Sequence, residues 1–139
     1  MDFGAALQGG LVELRAYAES RMVDTVLIER QSSAGTEDEA TGHITRAWVT
    51  VYSGKCRWQQ RSQAAASPDI AGGVVTVQST ELHLPVADSA AVLPNDGAKW
   101  RATAMTCAND PSRVGRSLNI TGDMWKTDAT ARRLICQEA

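Results

Sequence analysis

The stretch WVTVYSGKCRWQQ, residues 48–60, decides the fold. Val, Thr, Tyr and Trp crowd into it, and these residue types fit a pleated, half-buried surface. Alternation sets Val49 and Val51 on one side and Trp48, Thr50 and Tyr52 on the other. Ser53-Gly54 reads as a bulge or tight bend, after which Cys56 and Trp58 alternate with Lys55, Arg57 and Gln59. A strand pair with apolar residues on both faces does not suit a wet edge. The stretch is therefore expected at the centre of a small β-domain.

Upstream, residues 23–31 predict a strand with Val26, Ile28 and Arg30 on one face. A polar connection, residues 32–42, joins it to Ile44 and the opening stretch as an antiparallel hairpin. Glu37-Asp38-Glu39 lies in that connection. Its spacing matches no calcium loop, and no glycine stands at the turning position, so it reads as a solvated hairpin loop. Before the hairpin, residues 3–22 predict a helix, because Phe3, Leu7, Leu11, Leu14, Ala18 and Met22 recur at three- and four-residue steps. Gly9-Gly10 weakens it by about 1 kcal/mol per glycine relative to alanine and suggests a helix in two pieces. Such a helix is marginal alone, so its apolar stripe must dock, either on its own sheet or on a neighbouring subunit.

Downstream, residues 61–73 (RSQAAASPDIAGG) are small, polar and punctuated by Gly and Pro, which marks a long loop between two strands. Residues 74–86 are extended. Val75 and Val77 have the opposite parity to Leu82, Leu84 and Val86, so a bulge near Ser79-Thr80 is predicted. Pro94-Asn95-Asp96-Gly97 is a turn signal. Residues 98–106 form a strand with Trp100, Ala102 and Ala104 on one side, and Asn109-Asp110-Pro111 breaks it. Leu118 and Ile120 mark a short strand ended by Gly122-Asp123, and residues 131–137 form the last one. The expected fold class is mainly β: a small barrel or sandwich of six to seven strands with an N-terminal α-helix. Residues 1–139 make a single domain, with the helix in 1–22, the body in 23–139 and long loops at 32–42 and 61–73.

A chain of 139 residues can bury roughly two-thirds of its unfolded surface and needs no staples. The formal net charge of −2 gives no global pull towards nucleic acid. Cys56, Cys107 and Cys136 are odd in number, widely spaced and without a CxxC, which argues against zinc and a disulfide framework and suits a reducing compartment. Each is expected to be a small core residue. The N-terminus has no basic n-region, and no apolar run approaches the roughly 18 residues needed to cross a bilayer, so a soluble, intracellular protein is expected.

Chemistry is hard to find. Neither His43 nor His83 has a Cys or carboxylate at a ligand or triad spacing, and GxSxG, GxxxxGKS, GxGxxG and HExxH do not occur. No catalytic, metal or cofactor-binding residue is expected, and the protein is read as no enzyme. The pairs Arg57/Arg61, Lys99/Arg101, Arg113/Arg116 and Arg132/Arg133 could line one surface of a barrel, with Trp58 and Trp100 as stacking rings. That is the alternative of an OB-like single-stranded nucleic-acid-binding module.

One ordered set of features resembles a known family. The helix through Leu14, Arg15 and Ala18 runs straight into VDTVLIER. The acidic loop ends in Ala40-Thr41-Gly42. VYSGKCRWQ carries Val51, Tyr52, Gly54, Cys56, Arg57 and Gln59. Asn109-Asp110-Pro111, Val114-Gly115-Arg116 and Ala131-Arg132-Arg133-Leu134 follow in order. In this the chain is similar to the small head-to-tail connector proteins of tailed bacteriophages, the stopper or head-completion type of actinobacteriophages. Trp58 and Trp100 depart from the Val-like residues expected there.

The resemblance implies a structural virion protein of the phage neck, made in the host cytoplasm. It would form a ring, usually a hexamer, beneath the portal and adaptor rings, close the channel on packaged double-stranded DNA without sequence readout, and offer the platform on which the tail terminator or tail tube docks. It implies no membrane and no cofactor. On this reading the loop after the signature strand is the channel gate, with Arg61, Ser62, Gln63, Pro68, Asp69, Ile70, Gly72 and Gly73 as its residues. Inter-subunit contacts are expected from Leu7, Leu11, Leu14, Arg132 and Arg133. Another neck ring, adaptor or tail terminator, is the alternative within the class. Adaptors are mostly helical and terminators mix helices with a sheet, whereas this chain shows one good helix.

Overall fold

The computed structural model describes residues 3–61 and 79–138. One helix, α1 (Phe3–Ser20), precedes six strands: β1 (Asp24–Glu37), β2 (Ile44–Arg61), β3 (Ser79–Leu84), β4 (Trp100–Thr106), β5 (Ser117–Met124) and β6 (Arg132–Glu138). The strands close into an antiparallel barrel in the order β1-β2-β3-β6-β5-β4, with β4 returning to β1. The mainly β fold with an N-terminal helix is thus the observed one, as a barrel of six strands.

Alternation builds the core. Val26 and Ile28 from β1, Tyr52 and Cys56 from β2, Leu82 and Leu84 from β3, Trp100 and Ala102 from β4, Ile120 from β5, and Leu134 and Cys136 from β6 all turn inward and are buried. The segment between β3 and β4 adds fully buried Val92. The predicted turn of Pro94 to Gly97 is fastened by Asp96. Its carboxylate accepts hydrogen bonds from Trp100 Nε1 at 2.9 Å and the Ala98 amide at 3.1 Å, and it pairs with Arg30.

Several expectations are corrected. Ser53-Gly54 is not a bend: β2 is continuous, and Gly54 pairs with Val26. The bulge is at Val51, the extra residue between Tyr52, opposite Ile28, and Thr50, opposite Glu29. Gly54 is needed instead for close approach, because a Cβ there would lie 3.0 Å from Tyr52 Oη and 3.2 Å from its Cζ. The Tyr52 hydroxyl, held over that gap, donates to the Lys55 carbonyl at 2.7 Å. The bulge predicted near Ser79-Thr80 does not appear in the β2–β3 ladder, which runs in unbroken register from Arg57↔His83 to Arg61↔Ser79. Residues 74–78 lie outside the described residues. The helix runs unbroken through Gly9-Gly10.

The acidic connection is shorter than expected, because β1 continues to Glu37 and leaves a turn of residues 38–43. Asp38 organises this turn. Its side chain accepts from the Ala40 amide at 3.0 Å and the Thr41 hydroxyl at 3.1 Å, its carbonyl accepts from the Gly42 amide at 2.7 Å, and Gly42 takes φ 71°, the left-handed region that glycine enters freely. Beyond Gln31, whose amide still donates to the Lys99 carbonyl at 2.8 Å, the two strands pair only with each other, through Gly35↔Arg46, Thr36↔Thr45 and Glu37↔Ile44. Residues 33–47 are all exposed, so this hairpin is an arm projecting from the barrel.

Candidate functional site

Residues 62–73 of the expected gate loop, including Ser62, Gln63, Pro68, Asp69, Ile70, Gly72 and Gly73, lie outside the described residues. Arg61 ends β2 and pairs with Ser79 at the start of β3.

α1 buries none of its residues. Leu7 is 71% exposed and Leu14 56%, with Phe3, Val12 and Tyr17 also open, while Leu11 is half-buried. Two polar ties and one anchor hold it: Arg15 Nε donates to the Ala129 carbonyl at 3.0 Å, Glu19 stands 3.7 Å from Lys55 Nζ, and Met22 is buried just after the helix. Docking of the whole stripe on its own sheet is not seen among the described residues: Met22 is buried and Leu11 and Ala18 are partly covered, but Phe3, Leu7 and Leu14 stay open.

The two arginines named as subunit contacts behave differently. Arg132 is turned onto its own chain: its Nε donates at 2.9 Å to the buried Ser89 hydroxyl, which donates at 2.6 Å to the Pro85 carbonyl. Arg133 sits on β6 directly across from His83 on β3, and His83 is across from Arg57 on β2, giving a row of three cationic-type residues over the barrel wall. His83 is buried, and its Nε2–H donates to Glu81 Oε2 at 3.1 Å. Burial pushes the His83 pKa below 6.5; Glu81 opposes this, while Arg133 and Arg57 reinforce it, so the imidazole is neutral at pH 7.

On its other side Arg133 is paired with Met124 of β5. Between these strands, at the β5–β6 turn, opens a pocket of about 150 Å³ lined by Met124, Trp125, Lys126, Ala129, Thr130, Ala131 and Arg133. Met124, Trp125, Ala129 and Ala131 supply its apolar surface, Thr130 adds a hydroxyl, and its two charged groups are cations. Trp125 is 87% exposed although its indole N–H donates to Asp123 at 2.9 Å. Trp125 and Lys126 were missed in the sequence; the signal was a lone tryptophan in the otherwise polar turn Lys126-Thr127-Asp128.

The three thiols are the obvious nucleophiles, and all three are buried in the core. Burial pushes the Cys56 thiol far up and the Cys136 thiol to about 12, and it raises Cys107 as well, leaving little thiolate at neutral pH. Among the described residues no three His, Cys, Asp or Glu side chains converge as a metal site. The proposed stacking rings are taken up inside: Trp100 is buried, and Trp58 packs against the core. Arg101 instead caps the Trp48 ring from outside, 4.1 Å from its centroid, and pairs with Glu29 at 3.0 Å. Among the described residues no helix is long and apolar enough to cross a membrane.

Fold and surfaces define a small closed β-barrel with an uncovered helix and a projecting hairpin. The chain belongs to DUF6093, a family of unknown function, whose match spans residues 14–137. No curated protein matches it. The solution structure of protein SF1141 from Shigella flexneri 2a is similar in fold, with a TM-score of 0.51 at 19% identity, covering 86% of this chain and 94% of that one.

Proposed function

We propose that the protein is a structural component of a phage neck, a head-to-tail stopper ring that closes the DNA channel after packaging and offers a docking platform to the tail. The observation that carries this reading is α1. An 18-residue helix with no buried residue and five large apolar side chains open to water is costly in a lone subunit and useful in an assembly. A closed ring requires two different patches on each subunit, and the helix and the arm are two such patches. The ordered sequence resemblance supplies the kind of assembly. Within the neck, one helix on a β-barrel favours the stopper over the mostly helical adaptor.

The experiment is deletion of the gene from the parent phage, followed by electron microscopy of the lysate. The expected result is tailless heads that lose their DNA beside free, complete tails, with both defects rescued by the gene in trans. Virions of ordinary morphology and DNA content from the deletion strain would overturn the proposal.

A further inference from the structure

The arm and the pocket at the β5–β6 turn complement each other. The arm tip carries Ile44, 63% exposed and directly opposite Glu37, with Glu39 in the turn beside them. Neither Glu37 nor Glu39 has an ion-pair partner among the described residues. The pocket offers apolar surface from Met124, Trp125, Ala129 and Ala131, and the cations Lys126 and Arg133, which likewise have no ion-pair partner there. An apolar tip flanked by carboxylates thus meets a mixed pocket whose charged groups are of opposite sign.

We propose that the β1–β2 arm of one copy docks with Ile44 in the pocket between β5 and β6 of the next copy, with Glu37 and Glu39 facing Lys126 and Arg133. The pocket lies at the same end of the barrel as the arm, because Arg30 is across from Trp100 and Trp100 from Ile120, four residues before Met124. Tip and pocket are different patches, so docking between copies is head-to-tail and can propagate around a ring, and recovery in a mixture of reversed variants separates it from docking within one chain. The arm is ordered before docking, because Asp38 ties its turn and Gly35 leaves the space that the Ile44 side chain fills; a Cβ at Gly35 would collide with Ile44 Cγ2. Pre-ordering limits the entropy lost on binding. The inference rests on the ring reading and deepens it by assigning the contact between neighbours.

The test uses two full-length variants, Glu37→Lys/Glu39→Lys (arm reversed) and Lys126→Glu/Arg133→Glu (pocket reversed), with oligomer mass followed by sedimentation over a concentration series. Each alone is expected to weaken self-association roughly tenfold or more, since like charges would then face each other. An equimolar mixture of the two is expected to recover association, because every arm then meets a pocket of opposite sign. Should the pocket variant fail to fold by far-UV circular dichroism, Lys126→Glu alone replaces it in the same mixture. Oligomers of unchanged mass and affinity in both variants, or a mixture that recovers nothing, would overturn the arm–pocket contact while leaving the ring intact. A wild-type chain that forms no oligomer, alone or on purified portal–adaptor complexes, would sink the ring reading and this contact with it.

Discussion

Gly54 shows at the scale of one residue how a close approach disguises itself as a turn. In sequence, Ser53-Gly54 between strand-forming residues is indistinguishable from a bend. In the fold, the missing Cβ is the space occupied by the Tyr52 ring, whose hydroxyl bonds the Lys55 carbonyl. Gly54→Ala is expected to force that ring aside and cost about 1–3 kcal/mol, read as a lower unfolding midpoint in urea at unchanged slope. Ser53→Ala, at an exposed neighbour, is expected to stay within about 0.5 kcal/mol.

His83 carries the second prediction at this scale. Its folded pKa lies below 6.5 because burial disfavours the charged ring; Glu81 opposes that, and Arg133 and Arg57 add to it. The unfolded chain therefore takes up a proton before the folded one. Stability from this group is fully present above pH 6.5, falls as the pH drops through that value, and levels off below the folded pKa. Thermal unfolding from pH 8 to 5 is expected to show that decline in wild type and a flatter profile in His83→Gln. A profile that falls equally in both would assign the decline to carboxylates elsewhere.

At the scale of elements, strands with one buried face were legible and the arm was not. In β4 the alternation of Trp100, Ala102 and Ala104 against Arg101 and Thr103 gives both strand and buried face, because one side of the sheet meets the core. In the outer part of the hairpin both faces meet water, so Ser32 to Glu37 carry no hydrophobic period and read as loop, although Gly35, Thr36 and Glu37 are held in a cross-strand ladder. The Val51 bulge was hidden for a related reason: it switches parity within a run that is apolar on both sides. The helix was legible as a helix. Leu7→Glu/Leu14→Glu changes only exposed positions, so it is expected to leave monomer stability within about 0.5 kcal/mol and, if the proposed neck assembly holds, to abolish it. Parallel melts and a plaque-forming complementation assay read the two effects separately, and a variant that complements like wild type would show that α1 is not an assembly surface.

At the scale of the whole molecule, closure makes one core out of pairings distant in sequence. β1 meets β4 through Ile28↔Ala102, and β3 meets β6 through Leu82↔Leu134; neither pairing follows from local pattern, which is why barrel and sandwich were indistinguishable beforehand. A closed sheet has no free edge on its body to which a further strand could add. Closure also makes stability a shared property, because opening any one ladder exposes the common interior. Leu134 is fully buried within it, where β6 bridges β3 and β5. Leu134→Ala is expected to cost about 2–5 kcal/mol through the cavity it leaves, and the loss should appear as a single transition. Followed in urea by tryptophan fluorescence, which reports Trp48, Trp58, Trp100 and Trp125 together, and by far-UV circular dichroism, which reports all the strands, the unfolding curves of wild type and variant should each coincide. Two separated curves would mean that the barrel does not open as one cooperative unit.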